Sequence, residues 1–95
     1  MPQFMVIADD YKNTGALERR MEVRDSHLQR MRVEKLRGTF IIGGAKLEEG
    51  KMVGSMLLVE LEDEAAVQQW LKDDPYVVGK VWEHIEITPF RIAGV

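Results

Sequence analysis

In the segment VRDSHLQRM, residues 23–31, a histidine follows an arginine by one helical turn. Arg20, Arg24 and His27 are spaced i, i+4 and i+7, which sets all three on one flank of a helix. Imidazole is the side chain best suited to take up and release a proton near neutral pH. It works best as a general base when a carboxylate fixes its tautomer and stabilises the imidazolium. Three aspartates are candidates for that role: Asp25, Asp73 and Asp74. Asp25 is two residues away and points to another side of the helix. Asp74 precedes Pro75 in DDPYVVG, where the proline restricts the backbone before it and so aims the carboxylate. The plain alternative is a boundary histidine bonded to water or a backbone carbonyl, next to an Asp-Pro turn whose carboxylate only bonds nearby amides. The residues alone leave both readings open.

The elements that must bring these groups together are legible in outline. QFMVIA, residues 3–8, is an apolar run ended by the turn-forming DDYKNTG. From Ala16 to Leu36 neither glycine nor proline intervenes, and Leu17, Met21, Leu28 and Met31 form an apolar stripe, with Arg20, Arg24 and His27 beside it. Gly38 ends this helix. TFIIGGA reads as a second strand, KLEEGK as a polar hairpin, and Met52 to Leu61 as a third strand. Asp63 stands where a helix N-cap belongs, before Ala66, Val67, Trp70 and Leu71. This helix must end before Pro75. VWEHIEITPFRI is a last strand, and Pro89 argues for an edge position or a bulge. The order β-α-β-β-α-β predicts a ferredoxin-like α+β fold: a four-stranded antiparallel sheet with both helices on one face.

That arrangement leaves one sheet face uncovered, yet both faces of the later strands are apolar. Val53, Leu57, Val59 and Leu61 alternate with Met52, Met56 and Leu58, and Val81, Ile85 and Ile87 with Trp82 and Phe90. The expectation is a homodimer packed through the open sheet faces, the dimeric α+β barrel.

Composition narrows the partners. The chain has 95 residues, 45% of them hydrophobic and 31% charged, a size that suits one domain over residues 1–95. Its formal charge of −3 and the absence of a lysine or arginine run argue against nucleic acid. No segment is apolar enough for a membrane span, and the chain lacks cysteine. The expected setting is the cytoplasm. His27 and His84 lie 57 positions apart and lack zinc-binding spacing, so no metal is expected. Gly43-Gly44-Ala45 lacks the G-K-[ST] continuation of a phosphate loop and reads as a bulge or close backbone approach.

VRDSHL, GSMLLVELED, DPYVVG and WEHIEITPF, in this order and spacing, resemble the YCII-related (YciI-like) family over almost the whole chain. The resemblance implies a dimeric ferredoxin-like fold and a catalytic pair that here is His27 and Asp74. Matching positions include Arg24, placed to orient an anionic oxygen, and Ser55, placed to donate a hydrogen bond to substrate. The family is similar to muconolactone isomerases and includes a dehydrochlorinase of a chlorinated hydroxyquinol. The implied chemistry is acid–base catalysis of a lyase, isomerase or dehydrochlorinase kind on a small cyclic or aromatic molecule, without a cofactor. KLEEGK is shorter than the matching loop of many relatives, which implies a more open pocket. Two other classes compete with this one: a non-enzymatic dimeric module that binds a small ligand, and a cofactor-independent monooxygenase using Tyr76, Trp82 and Phe90.

Overall fold

A computed structural model describes residues 1–95. Its elements are β1 (Gln3–Asp10), α1 (Ala16–Arg37), β2 (Phe40–Glu48), β3 (Lys51–Glu60), α2 (Glu64–Leu71), α3 (Pro75–Val78) and β4 (Trp82–Phe90). All strand pairings are antiparallel, in the order β2-β3-β1-β4. This is the ferredoxin-like arrangement, with α1, α2 and the short α3 inserted between strands. The core lies between sheet and helices and includes Phe4, Val6, Ala8, Leu57, Val59, Val67, Leu71 and Val81.

Local chemistry explains the boundaries. Gly38 adopts φ 84° and closes α1 with hydrogen bonds from its own N–H to Lys35 O and from Thr39 N–H to Glu34 O. Asp63 caps α2 by accepting the Ala66 N–H at 2.8 Å. Glu49 and Gly50, both at positive φ, form a tight two-residue hairpin. The strands therefore run further into KLEEGK than its polarity suggests. Pro89 lies on β4, an edge strand, opposite Phe4.

Three irregularities change which side chains face the helices. The β1–β4 register shifts between Asp9 and Asp10, so that Asp9 faces His84 and Asp10 faces Trp82, skipping Glu83. The shift turns Trp82 onto the helix side, where it is buried in the core. A shift between Lys46 and Leu47 skips Val53 and brings Met52 into the cleft between α1 and the sheet. A third, between Phe40 and Ile42, skips Ile41. Strict alternation sets Trp82 on the face opposite Ile85 and Ile87, and Met52 opposite Leu57 and Val59; the shifts bring each onto the same face as those residues. What remains apolar on the open face is Met5, Ile7, Met56 and Leu58, flanked by Ile42 and Phe90.

The helix face also differs from the apolar stripe. The buried residues of α1 are Arg20, His27, Met31 and Glu34, whereas Leu17 and Met21 are exposed. A polar face can be buried here because each of its members has a partner across the core. Arg20 meets Asp10, His27 meets Asp74, and Glu34 accepts the Trp70 indole N–H.

Gly43 is a close backbone approach: a Cβ there would stand 2.6 Å from the Met56 carbonyl oxygen. Beside it, Gly44 has open space. Gly43→Ala is expected to lower stability by about 1–3 kcal/mol in urea unfolding, and Gly44→Ala to stay within roughly 0.5 kcal/mol. Equal effects would contradict the register described.

Candidate functional site

Asp74 is the best buried carboxylate of the chain, with 0% of its surface exposed. It sits at the N-cap of α3, with Pro75 at the first helical position, where the missing N–H costs nothing. Its Oδ1 accepts the Tyr76 backbone N–H at 2.9 Å and lies 2.8 Å from His27 Nδ1. Its Oδ2 accepts a guanidinium N–H of Arg30 at 3.0 Å. With a cation on one oxygen and an amide on the other, the carboxylate is held as an acceptor. The proton shared with the imidazole therefore belongs on Nδ1. His27 Nε2 has no partner in the chain, and Arg20 Nε is the one buried side-chain nitrogen or oxygen sealed off without a bond. Nε2 is thus the free position of the ring, and His27 lines the cleft.

Aromatic rings fix the imidazole plane. Tyr76 stacks on it at 4.0 Å between centroids and 16° between planes, and Trp82 meets it edge-on at 5.8 Å. Burial pushes the Tyr76 phenol above its usual range, so the phenol stays neutral through physiological pH.

Beside the dyad lies a second polar network. Arg20 donates to both oxygens of Asp10, at 2.9 and 3.0 Å, and to Gly54 O at 2.9 Å and Ser55 Oγ at 2.8 Å. Its guanidinium carbon lies 4.6 Å from the Tyr76 ring centre. Burial raises the Asp10 carboxyl, and the charge of Arg20 and its hydrogen bonds oppose this. Ser55 Oγ also accepts the Trp82 indole N–H, at 3.1 Å. Two donors on Oγ leave the Ser55 hydroxyl proton free to be given away.

The cleft itself, with a volume of about 260 Å³, is formed by α1, β2 and β3. His27, Arg24, Ser55 and Tyr76 all line it. The Arg24 side chain makes no hydrogen bond or ion pair within the chain and is available to a ligand. Of the four residues singled out from the sequence, His27, Arg24 and Ser55 converge on the cleft and Asp74 lies behind the imidazole, bonded to it. Asp73 and Asp25 are exposed and take no part. His84 is on the open sheet face opposite Asp9, away from the cleft. No group of three or more His, Cys, Asp or Glu side chains is arranged to hold a metal ion, and no helix is long and apolar enough to cross a membrane.

Sequence reasoning missed Arg30 and the structural part of Arg20, and named Tyr76 and Trp82 only for the monooxygenase reading, not as the rings that hold His27. Arg20 carried a signal, since it precedes His27 by seven residues on the same flank. The direction of Trp82 carried none, because a register shift decides it.

The model of the YCII-related domain matches residues 3–91. The chain belongs to the YCII-related family. Protein YciI of Escherichia coli is 30% identical over 95 residues, covering 93% of this chain and 95% of that protein. Among solved structures, the 5-chloro-2-hydroxyhydroquinone dehydrochlorinase of Burkholderia phenoliruptrix, in complex with 2,5-dihydroxybenzoquinone, superposes with a TM-score of 0.80 at 23% identity, covering 96% of this chain and 95% of that one. A dimeric ferredoxin-like protein from an uncultured marine organism gives a TM-score of 0.53 at 15% identity, covering 98% and 99%. At these identities the likeness is one of fold.

The Arg20–Asp10 pair supplies a test of the polar core. Arg20→Met strands a buried carboxylate and is expected to cost about 3–5 kcal/mol in urea unfolding, while adding Asp10→Leu to it restores much of the loss. A single-variant cost below about 0.5 kcal/mol, the scale of an ordinary surface change, would show that the pair is not closed.

Proposed function

We propose that this YCII-related protein is a small-molecule enzyme that uses His27 and Asp74 for acid–base chemistry on a small cyclic or aromatic substrate. The observation that carries the reading is the asymmetry of the imidazole: Nδ1 is tied to a carboxylate that already has two other donors, and Nε2 is left free. That is the arrangement a general base requires. Nε2 takes a proton from a carbon or hydroxyl of the substrate, and Asp74 stabilises the imidazolium that results. The Ser55 hydroxyl and the Arg24 guanidinium steady the oxygen on which negative charge develops. The proton then returns to a different atom, which is an isomerisation, or a leaving group such as chloride departs with its electron pair, which is an elimination. The structurally similar dehydrochlorinase, solved with a dihydroxybenzoquinone, supports a cyclic oxygenated substrate.

The same proposal includes a homodimer. Met5, Ile7, Met56 and Leu58 form an apolar centre on the open sheet face, and a second copy covers it through two-fold packing. The dimeric ferredoxin-like neighbour supports this arrangement.

Proton abstraction is tested by incubating small lactones and hydroxylated aromatics with the protein in D2O and following deuterium incorporation by NMR. His27→Ala is expected to slow exchange by about 10²–10⁴-fold, the usual contribution of a positioned general base. Exchange that proceeds equally well without His27 would refute the assignment.

A further inference from the structure

Along α1 the cleft wall repeats a simple order. Arg24 and His27 occupy one turn, Leu28 and Met31 the next, and Arg32 and Lys35 the one after. The opposite wall runs alongside it and carries no charge. Ser55 and Ala45 face each other at one end, Leu57 and Gly43 stand in the middle, and Phe40 lies towards the far end, where the chain has just left α1. One end is therefore cationic and reactive, the middle is apolar, and the other end is cationic and far from the dyad. Arg24 and Arg32 are eight residues apart, about 12 Å along a helix, and their long side chains can close much of that span.

The cleft lining contains Arg20, Arg24, Arg32 and Lys35 but no carboxylate. This is unexpected in a chain that carries a net charge of −3. The two terminal nitrogens of Arg20 are already engaged by Asp10, Gly54 and Ser55. The side chains of Arg24 and Lys35 have no partner in the chain, and Arg32 reaches only Gln29, at a long 3.4 Å. Elsewhere on α1 the cations have partners: Arg30 pairs with Asp74, Arg37 with Glu34, and Arg19 donates to Lys80 O and Asn13 Oδ1. Unpaired cations are thus concentrated on the flank that lines the cleft. The volume of about 260 Å³ lies just under the ~300–1,000 Å³ typical of drug-sized ligand pockets, which suits a single ring.

We propose that the cleft takes a single-ring ligand with anionic groups at both ends, with Arg32 and Lys35 as specificity residues that hold the end remote from His27. The inference rests on His27 marking the reacting end, as in the function proposed above. Two-ended binding does not itself need proton transfer. The remote anchor fixes the ring lengthwise, so that the group held by Arg24 and Ser55 lies beside Nε2.

Calorimetric titration with terephthalate, benzoate and neutral hydroquinone tests this at physiological salt, where diffuse surface attraction is screened. Terephthalate is expected to bind about tenfold more tightly than benzoate, and benzoate more tightly than hydroquinone. Arg32→Gln/Lys35→Gln changes only exposed residues. It should bring terephthalate down to the level of benzoate while benzoate changes less than about twofold, and Arg24→Gln should weaken both anions. The inference is overturned if terephthalate fails to bind, if it binds no better than benzoate, or if the double variant weakens both anions alike. The deuterium exchange experiment reads the dyad separately. Two-ended binding without exchange keeps this inference and removes the acid–base reading, and exchange without the terephthalate preference does the reverse.

Discussion

A carboxylate with no access to water governs this structure. Taking Asp74 out of solvent costs several kcal/mol even after relaxation, and hydrogen bonds to a charged group return about 1.5–3 kcal/mol each. One donor does not suffice, so three are assembled from three directions: the Tyr76 amide, the Arg30 guanidinium and the His27 imidazole. Meeting that requirement ties the N-cap of α3 to the middle of α1. The short helix at Pro75 exists in a form that presents one backbone N–H to the carboxylate and leaves the other acceptor sites to α1.

The same constraint explains why α1 turns a polar face to the core. Arg20, His27 and Glu34 recur at intervals of seven residues, and each is satisfied by a group from another element. The apolar face of the sheet supplies the bulk of the burial, and the polar pairs fix where along the sheet the helix lies. Arg20 extends this to the strands by holding β1 through Asp10 and β3 through Gly54 and Ser55. The cleft beside the helix owes its shape to that placement and to Gly43, which keeps β2 close to β3 without a side chain. A site of this kind is held by the fold's own polar skeleton. Loss of Asp74 or Arg20 is then a structural change as well as a change to the site.

Much of this was legible in the sequence, and the failures share one cause. The element order and the fold followed from periodicity, caps and turn residues, because those signals are local. Gly38, Asp63 and Pro89 sit where their chemistry demands. His27 and Asp74 were recognisable as a candidate pair through the Asp-Pro turn and the family resemblance, whereas spacing alone left Asp25 and Asp73 in contention. The apolar stripe of Leu17 and Met21 misled, since a hydrophobic pattern cannot register polar side chains whose partners lie 10, 35 or 47 residues away. Trp82 was set on the face opposite Ile85 and Ile87, and Met52 opposite Leu57 and Val59, because alternation assumes an unbroken ladder, and a single skipped residue reverses every side chain beyond it. Arg30 was invisible because its role exists only once Asp74 is in place.

In the proposed function Asp74 holds the imidazole of His27 with its proton on Nδ1 and its lone pair on Nε2. The direct measurement is the pair of ring ¹⁵N chemical shifts of His27, read by long-range ¹H–¹⁵N correlation at a pH where the ring is neutral, in the native protein and in Asp74→Asn. The native protein is expected to show a protonated Nδ1 and a bare Nε2, with the preference reduced or reversed when Asp74 loses its charge. A proton on Nε2, or a tautomer balance that ignores Asp74→Asn, would contradict that reading.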